Sequence, residues 1–104
     1  MEAVLATGTT EHWVEVLEAA GVPCVFHCAH DLGLKTAAML HVVASTPNFP
    51  LGNDCTYYGL TDDILVEPHA IYHGRMRVPQ DPGLGVDVNL EKLRKYCVGS
   101  SVPW

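Results

Sequence analysis

Cysteine and histidine side chains cluster near the start of the chain, in the order Cys24-x-x-His27-Cys28-x-His30. Thiolates and imidazoles are ligands that zinc prefers, so a zinc module built on these four residues is one hypothesis. The surrounding run is apolar and typical of a strand, on which Cys24 and Cys28 share one face while His27 projects from the other. No second Cys/His pair follows at zinc-finger spacing, and a small, buried apolar role for Cys24 is the competing interpretation.

A histidine and an aspartate each lie at the end of a predicted strand. His27 lies at the end of the apolar run 22–28, and Asp54 ends the run 48–54. The carboxyl ends of strands form the ligand-binding edge of α/β folds. An imidazole at such an edge can act as a general base. The alternatives are a packed histidine that donates to a backbone carbonyl, and an aspartate that serves as an ordinary loop or capping residue.

The loop after the first strand carries two further polar candidates, His30 and Asp31. His30 is a weaker candidate for substrate binding, and Asp31 is predicted to cap the helix that follows. His41 falls in the middle of that helix, where a core or interface position is expected. Three further histidines are expected at the surface or in turns: His12, His69 and His73.

Hydrophobic periodicity predicts that helices and strands alternate along the first half of the chain. Apolar residues recur at helical spacing over residues 10–20 and 32–44. The run 22–28 lacks polar alternation, as strands buried in parallel sheets do. The short run 48–54 is predicted to be a second buried strand, although Pro50 weakens that prediction. Helix, strand, helix and strand joined by short connections predict an α/β fold.

The second half of the chain reads as a return segment with little regular structure. Its predicted elements are, in order, a helical turn near 62–65, a hairpin over 69–79 with its turn at His73-Gly74, a rigid loop at 79–85, and a helix over 90–97 capped by Asn89. We therefore divide the chain into an α/β part, residues 1–68, and a part with the hairpin, loop and short helix, residues 69–104.

Composition excludes several classes of protein. The 104 residues carry a formal net charge of −6, and 48% are hydrophobic against 17% charged. A disordered acidic tail needs fewer apolar residues, and a nucleic-acid-binding protein needs a basic surface. No apolar run approaches the ~20 residues of a membrane span, and the first residues do not resemble a signal peptide. We therefore expect a cytoplasmic protein with reduced cysteines and no nucleic-acid or membrane partner.

Three segments together resemble a known family: Val22-Pro23-Cys24-Val25-Phe26-His27, residues 40–49, and residues 74–86, which end in V-P-x-x-P-G-L-G-V. They resemble the C-terminal part of the enolase superfamily, in particular its mandelate racemase and glucarate dehydratase groups. The resemblance implies an α/β fragment of a (β/α)8 TIM barrel, about α6-β7-α7-β8. The hairpin and short helix would then return toward a capping domain.

The same resemblance implies a chemistry. Family members remove a proton α to the carboxylate of a small acid sugar and stabilise the enediolate on Mg²⁺. By position, His27 is similar to the general base at the end of the seventh strand. Asp54 is similar to an acidic residue that supports the site by hydrogen bonding.

The family's other catalytic groups have no match in this sequence. The three acidic Mg²⁺ ligands and the lysine pair of the second strand are missing, and residues 5–7 carry no aspartate. We therefore expect a truncated family member that is inactive alone as a dehydratase or racemase. Unpaired strand edges and exposed apolar faces favour self-association or a homo-oligomer. The alternative is a non-catalytic α/β module that docks to another chain.

Overall fold

The computed structural model describes residues 10–99. Residues 5–7, where the family's aspartate is expected, lie outside the described residues. The described elements are, in order, helix α1 (Thr10–Ala19), strand β1 (His27–Cys28), helix α2 (Gly33–Ser45), strand β2 (Asp54–Cys55), a 3-10 helix (Tyr57–Gly59), strands β3 (Ile71–Tyr72) and β4 (Arg75–Met76), and helix α3 (Leu90–Tyr96).

Helix α1 ends at a glycine in the left-handed conformation. Gly21 has φ +73°, and the next N–H group, that of Val22, donates to the Leu17 carbonyl at 2.9 Å. Such a left-handed residue satisfies the last carbonyls of a helix and turns the chain away from its axis. The turn sends residues 22–28 back along the helix, and Val14 of α1 is buried in the core.

The first two strands form a parallel pair. His27 lies opposite Asp54 in the register. Further backbone bonds extend the pairing: the Cys24 N–H donates to the Asn48 carbonyl, and the Asp54 N–H donates to the Phe26 carbonyl, both at 2.9 Å. The predicted helix–strand–helix–strand order and its parallel sheet are therefore present.

The regular part of each strand is much shorter than the predicted runs 22–28 and 48–54. Pro50 has no N–H group to donate to a ladder. At Asn53 the bond to the neighbouring strand is made by the side chain, because Asn53 Oδ1 accepts the Phe26 N–H at 2.8 Å. The second run therefore pairs with the first at Asn48 and again at Asp54, not along its whole length.

Residues 24–27 alternate between a covered face and an open face of the sheet. Cys24 and Phe26 are 6% and 1% exposed, whereas Val25 and His27 are exposed. We call the side that carries Val25, His27 and Asp54 the open face. The covered face packs on both helices, and its buried cluster consists of Val14, Cys24, Phe26, Met39, Leu40 and Phe49.

Helix α2 does not begin as predicted. Asp31 forms an ion pair with Lys35 at 3.2 Å, and Leu32 takes the N-cap position without a side-chain bond. The free N–H of Gly33 donates instead to Asp63 Oδ1 at 2.9 Å. The prediction that Asp31 caps the helix was wrong, because a buried carboxylate from later in the chain takes its place.

The segment after β2 also differs from the prediction. Its helical turn lies at Tyr57–Gly59 rather than near 62–65, and Leu65 pairs with Val88 in an isolated antiparallel bridge. His41 Nε2 donates to the Leu84 carbonyl at 2.8 Å, which joins α2 to the Pro-Gly loop. Within residues 10–99, no helix has the length and apolar character needed to cross a membrane.

The hairpin and the last helix are confirmed. Strands β3 and β4 pair antiparallel, and His73 and Gly74 between them have φ +50° and +70°. Two positive φ angles in a two-residue loop are typical of a type I′ turn, whose twist suits a hairpin. Asn89 caps α3 as predicted, since its Oδ1 accepts the N–H groups of Glu91 and Lys92.

Candidate active site

The carboxyl ends of β1 and β2 bring His27 and Asp54 together. His27 Nδ1 lies 2.8 Å from Asp54 Oδ2, and the two side chains are 64% and 62% exposed. Because the two residues are paired in a parallel register, their side chains leave the sheet on the same, open face. The ring is directed away from the core and bonds to a carboxylate, which contradicts the alternative of a packed histidine.

The bond to Asp54 determines which nitrogen of His27 is free. An ionised carboxylate only accepts hydrogen bonds, so Nδ1–H must donate to Oδ2. The lone pair of the neutral ring then lies on Nε2. Nε2 is therefore the atom through which His27 can accept a proton from a ligand.

We expect nitrogen-15 NMR of the imidazole nitrogens, recorded while the His27 ring is neutral, to detect this tautomer. The wild-type chain should show Nδ1–H for His27, and Asp54→Ala should lose that preference because the acceptor is gone. His12→Gln is the control. Its missing signal assigns the resonance of His12, and the His27 tautomer should stay as in the wild type. An unchanged His27 tautomer in Asp54→Ala would contradict the hydrogen bond as the cause.

Neighbouring backbone bonds hold this pair in position. The Asp54 N–H donates to the Phe26 carbonyl at 2.9 Å, and the Phe26 N–H donates to Asn53 Oδ1 at 2.8 Å. Asp54 is thus bound to the residue just before its partner, and the two residues that precede the pair, Phe26 and Asn53, are bound to each other. Side chains on strand ends held in this way keep their mutual geometry better than side chains on free loops.

His30 lies apart from this pair. Its exposed ring lies against the 3-10 helix, 3.8 Å from the point where a Cβ on Gly59 would sit. No hydrogen bond or ion pair of His30 is present among residues 10–99. The structure therefore brings together two of the three predicted site residues, and places the third on the loop that leads to α2.

A buried carboxylate that no sequence pattern revealed lies beneath that loop. Asp63 is 3% exposed. It accepts hydrogen bonds from the Gly33 N–H at 2.9 Å, the Ile64 N–H at 2.8 Å and the Tyr57 hydroxyl at 2.6 Å. With three donors around it, the carboxylate is fully compensated for its burial.

His69 completes this network and corrects an expectation. It was predicted at the surface, but it is half-buried, and its Nε2–H donates to the Gly33 carbonyl at 2.8 Å. Its backbone N–H donates to the Tyr57 hydroxyl at 3.1 Å, and the two rings meet edge to face. Gly33 is therefore bound through both its N–H and its carbonyl, which anchors the start of α2.

Burial, together with the hydrogen bond to Asp63, raises the pKa of Tyr57 to about 12 from the ordinary 10.0. The folded state thus favours the protonated phenol, and its contribution to stability is complete below pH 10. We expect the unfolding free energy to fall as the pH rises from 10 to 12, measured by urea denaturation. Tyr57→Phe should lack this fall, whereas Tyr58→Phe, at an exposed position, should keep it. Equal pH dependence in both variants would contradict the assignment.

The described residues do not form a metal centre. Among the side chains that the structure describes, which do not include that of Cys28, no group of three or more His, Cys, Asp or Glu could hold a metal ion. Mg²⁺ needs oxygen ligands, and the open face offers the single carboxylate of Asp54, which already bonds to His27. Cys24 is buried and accepts a bond from Asn48 Nδ2 at 3.4 Å. The Cys28 side chain of the zinc hypothesis lies outside those described, and the other three residues of that hypothesis do not form a metal site. The described residues do not fit a Mg²⁺ site either.

Comparison with known proteins identifies the family. Residues 8–93 match the model of the enolase C-terminal domain-like family. The chain belongs to this family. The fold described above is accordingly an α/β enolase C-terminal domain-like fold, consistent with part of a TIM-barrel enzyme.

Curated relatives carry two kinds of enzyme name. The chain is 34% identical over 84 residues to a protein of Streptomyces coelicolor named "Probable glucarate dehydratase", covering 81% of this chain and 20% of that protein. It is also 34% identical over 84 residues to a chloromuconate cycloisomerase of Pseudomonas putida, covering 78% of this chain and 22% of that protein. The chain thus spans about a fifth of the length of the curated relatives that it matches.

Solved structures support the fold directly. A crystal structure of an enolase from Streptomyces coelicolor, described as having no Mg and an ordered loop, superposes with a TM-score of 0.81 at 43% identity. The superposition covers 86% of this chain and 23% of that one. An isomerase of the same organism gives the same score and identity. The resemblance to the enolase superfamily, from which roles for His27 and Asp54 were inferred, is therefore confirmed at the level of the family.

Proposed function

We propose that this chain carries the general base of an acid-sugar dehydratase of the enolase family. In this proposal, His27 Nε2 removes the proton α to the carboxylate of a small acid sugar, Asp54 orients the ring, and His30 contacts the substrate. The observation that carries it is the 2.8 Å bond between His27 Nδ1 and Asp54 Oδ2 on the open face. The relative named as a glucarate dehydratase supports the choice of substrate class.

The geometry suits proton removal for two reasons. The bond to Asp54 leaves Nε2 free, and the exposed ring can meet a ligand without rearrangement of the core. When Nε2 takes up a proton the ring becomes positively charged, and the Asp54 carboxylate at hydrogen-bond distance balances that charge. Asp54 therefore has a positioning and electrostatic role, while His27 is the residue that would touch the substrate.

Proton removal is only half of the proposed reaction. The negative charge that develops on the substrate must be stabilised, and such stabilisation is usually the largest contribution to catalysis. On the open face, Val25 and Asp54 lie beside His27, and neither can stabilise an anion. We therefore propose that the chain by itself does not turn over substrate, and that groups outside residues 10–99 supply the stabilisation.

The proposal is tested by transferring the segment into a whole enzyme. Residues 8–93 would replace the matching segment of the relative named as a glucarate dehydratase, and glucarate dehydration would be measured. We expect the chimera to be active, with a loss of at most about 10²-fold from small misplacements. A chimera that melts cooperatively near the temperature of the parent enzyme but shows no dehydration would contradict the proposal.

A second candidate function, a non-catalytic module that docks through its apolar faces, rests on a different observation. Trp13 and Val16 of α1 are 55% and 50% exposed, and Val25 on the open face is 43% exposed. Residues three apart on a helix are neighbours, so Trp13 and Val16 form one apolar patch. Burying such a patch releases water and stabilises an association.

We therefore expect the purified chain to self-associate through this patch. Sedimentation velocity at increasing concentration should show a species heavier than the 11.3 kDa monomer. The double variant Trp13→Glu/Val16→Glu should shift the equilibrium toward monomer. Val66→Glu, at a position 60% exposed elsewhere on the surface, is the matched control and should associate like the wild type. A wild-type chain that stays monomeric at all concentrations would contradict the expectation.

A further inference from the structure

The pairing between the segments that lead into β1 and β2 is not continuous. The Asp54 N–H donates to the Phe26 carbonyl at 2.9 Å. In a regular parallel ladder this bond would place the carbonyl of residue 50 opposite the Cys24 N–H. That N–H donates instead to the Asn48 carbonyl, also at 2.9 Å. The segment before β2 therefore contains two more residues than a regular ladder would, which makes it a β-bulge.

The bulge consists of residues 50–52, just before the site. All three residues are exposed, and Pro50 has no N–H group that would be left unpaired. Residues that follow a bulge can slide along the neighbouring strand unless a bond fixes them. A slip by one residue moves every side chain to the other face of the sheet. The position of Asp54 opposite His27 must therefore be fixed after the bulge.

The side chain of Asn53 supplies this fixed point. In a regular ladder the Phe26 N–H would donate to the carbonyl of residue 52, but it donates to Asn53 Oδ1 at 2.8 Å. Phe26 is 1% exposed, so water cannot take the place of that oxygen. The N–H and the carbonyl of Phe26 are thus bound to two consecutive residues, Asn53 and Asp54. A slip of the second strand would have to break both bonds.

His27 and Asp54 depend on this anchor because packing does not hold their side chains, which are 64% and 62% exposed. The 2.8 Å bond between them requires that the two strand ends keep their register. We propose that Asn53 is a positioning residue of the candidate active site. Its side chain spans the bulge and holds Asp54 Oδ2 within hydrogen-bond distance of His27 Nδ1. The effect of Asn53 on catalysis rests on the proposed function, whereas its effect on the pair does not.

The substitution Asn53→Ala in the full chain tests the proposal. It removes the oxygen that accepts the Phe26 N–H and leaves His27 and Asp54 unchanged. We expect the neutral His27 ring to lose its preference for Nδ1–H in nitrogen-15 NMR, although the carboxylate that accepts this bond is still in the chain. Asn53→Asp keeps an accepting oxygen at the same distance from the backbone, and it should restore the preference.

Asn48→Ala is the matched control, because it removes the same kind of side chain from the other end of the bulge. Asn48 Nδ2 donates to the Val22 carbonyl at 3.0 Å and to Cys24 Sγ at 3.4 Å. The control therefore breaks bonds before the bulge but none after it, and the His27 tautomer should stay as in the wild type. A wild-type tautomer in Asn53→Ala, or an equal loss in both variants, would overturn the proposal.

The glucarate dehydratase chimera gives a second measurement, which also serves if Asn53→Ala does not fold as an isolated chain. We expect Asn53→Ala to lower kcat of the chimera by up to about 10²-fold, because a misplacement of about 1 Å can have this effect. The KM should change little. An unchanged kcat in a chimera that His27→Gln inactivates would overturn the proposal. Full activity of His27→Gln would instead contradict the proposed function, so the two failures are distinguishable.

Discussion

In the glucarate dehydratase chimera, replacing His27 with glutamine is expected to lower kcat by about 10²–10⁴-fold, the usual contribution of a general base. Glutamine keeps a polar side chain of similar reach but cannot accept a proton. The KM should change little, because the lost group acts on the reacting proton rather than on the rest of the substrate. Steady-state dehydration kinetics would measure both constants.

Two further variants make this test specific. Asp54→Asn keeps an oxygen that can accept from Nδ1–H but removes the charge, so we expect a smaller loss of kcat than in His27→Gln. His12→Gln, on α1 and away from the open face, should leave kcat unchanged. If His27→Gln and His12→Gln retain equal activity while the chimera itself is active, another residue removes the proton.

The largest effect on stability is expected from Gly33→Ala. A Cβ at this position would collide with the Asp63 carboxylate and would lie 2.5 Å from Leu65 Cδ1. Asp63 cannot move away without losing bonds to Gly33, Ile64 and Tyr57. Overpacking of a buried site usually costs about 1–3 kcal/mol, and a broken buried hydrogen bond adds to that cost. We therefore expect a loss at or above the upper end of this range.

Urea denaturation of the isolated chain would measure this loss. Gly52→Ala is the matched control, because a Cβ there meets no atom within 4 Å, and its unfolding free energy should stay within about 0.5 kcal/mol of the wild type. If Gly33→Ala were as stable as Gly52→Ala, the contact between α2 and the Asp63 network would not be as tight as the structure shows.

The meeting of His27 with Asp54 was predictable because it depends on a simple rule. Both residues follow apolar runs in the sequence, and the ends of parallel strands lie at one edge of a sheet. Once the runs are recognised as strands, the rule requires no knowledge of the residues between them. The Asn89 cap and the His73-Gly74 turn were predictable for a related reason, because a few adjacent residues determine each of them.

Features that depend on distant residues could not be predicted in the same way. Asp31 has the right type and position for a cap, but Asp63, 30 residues beyond Gly33, takes that role. The burial of His69 depends on Gly33, 36 residues before it. Neither partner leaves a periodic or local trace in the sequence. The two strands were predicted too long for a different reason. An apolar run indicates burial, but it does not show which backbone N–H and carbonyl groups bond to the neighbouring strand.

The way in which Gly33 is bound has a consequence for biosynthesis. A ribosome delivers the chain from its amino terminus, so all of α2 emerges before Asp63 and His69, which hold its first residue. Isolated helices of this length are marginal in water, and contacts distant in sequence form slowly because their loops must close first. The beginning of α2 should therefore stay frayed on the nascent chain until residue 69 has left the exit tunnel, and chaperones would meet its apolar side during that interval.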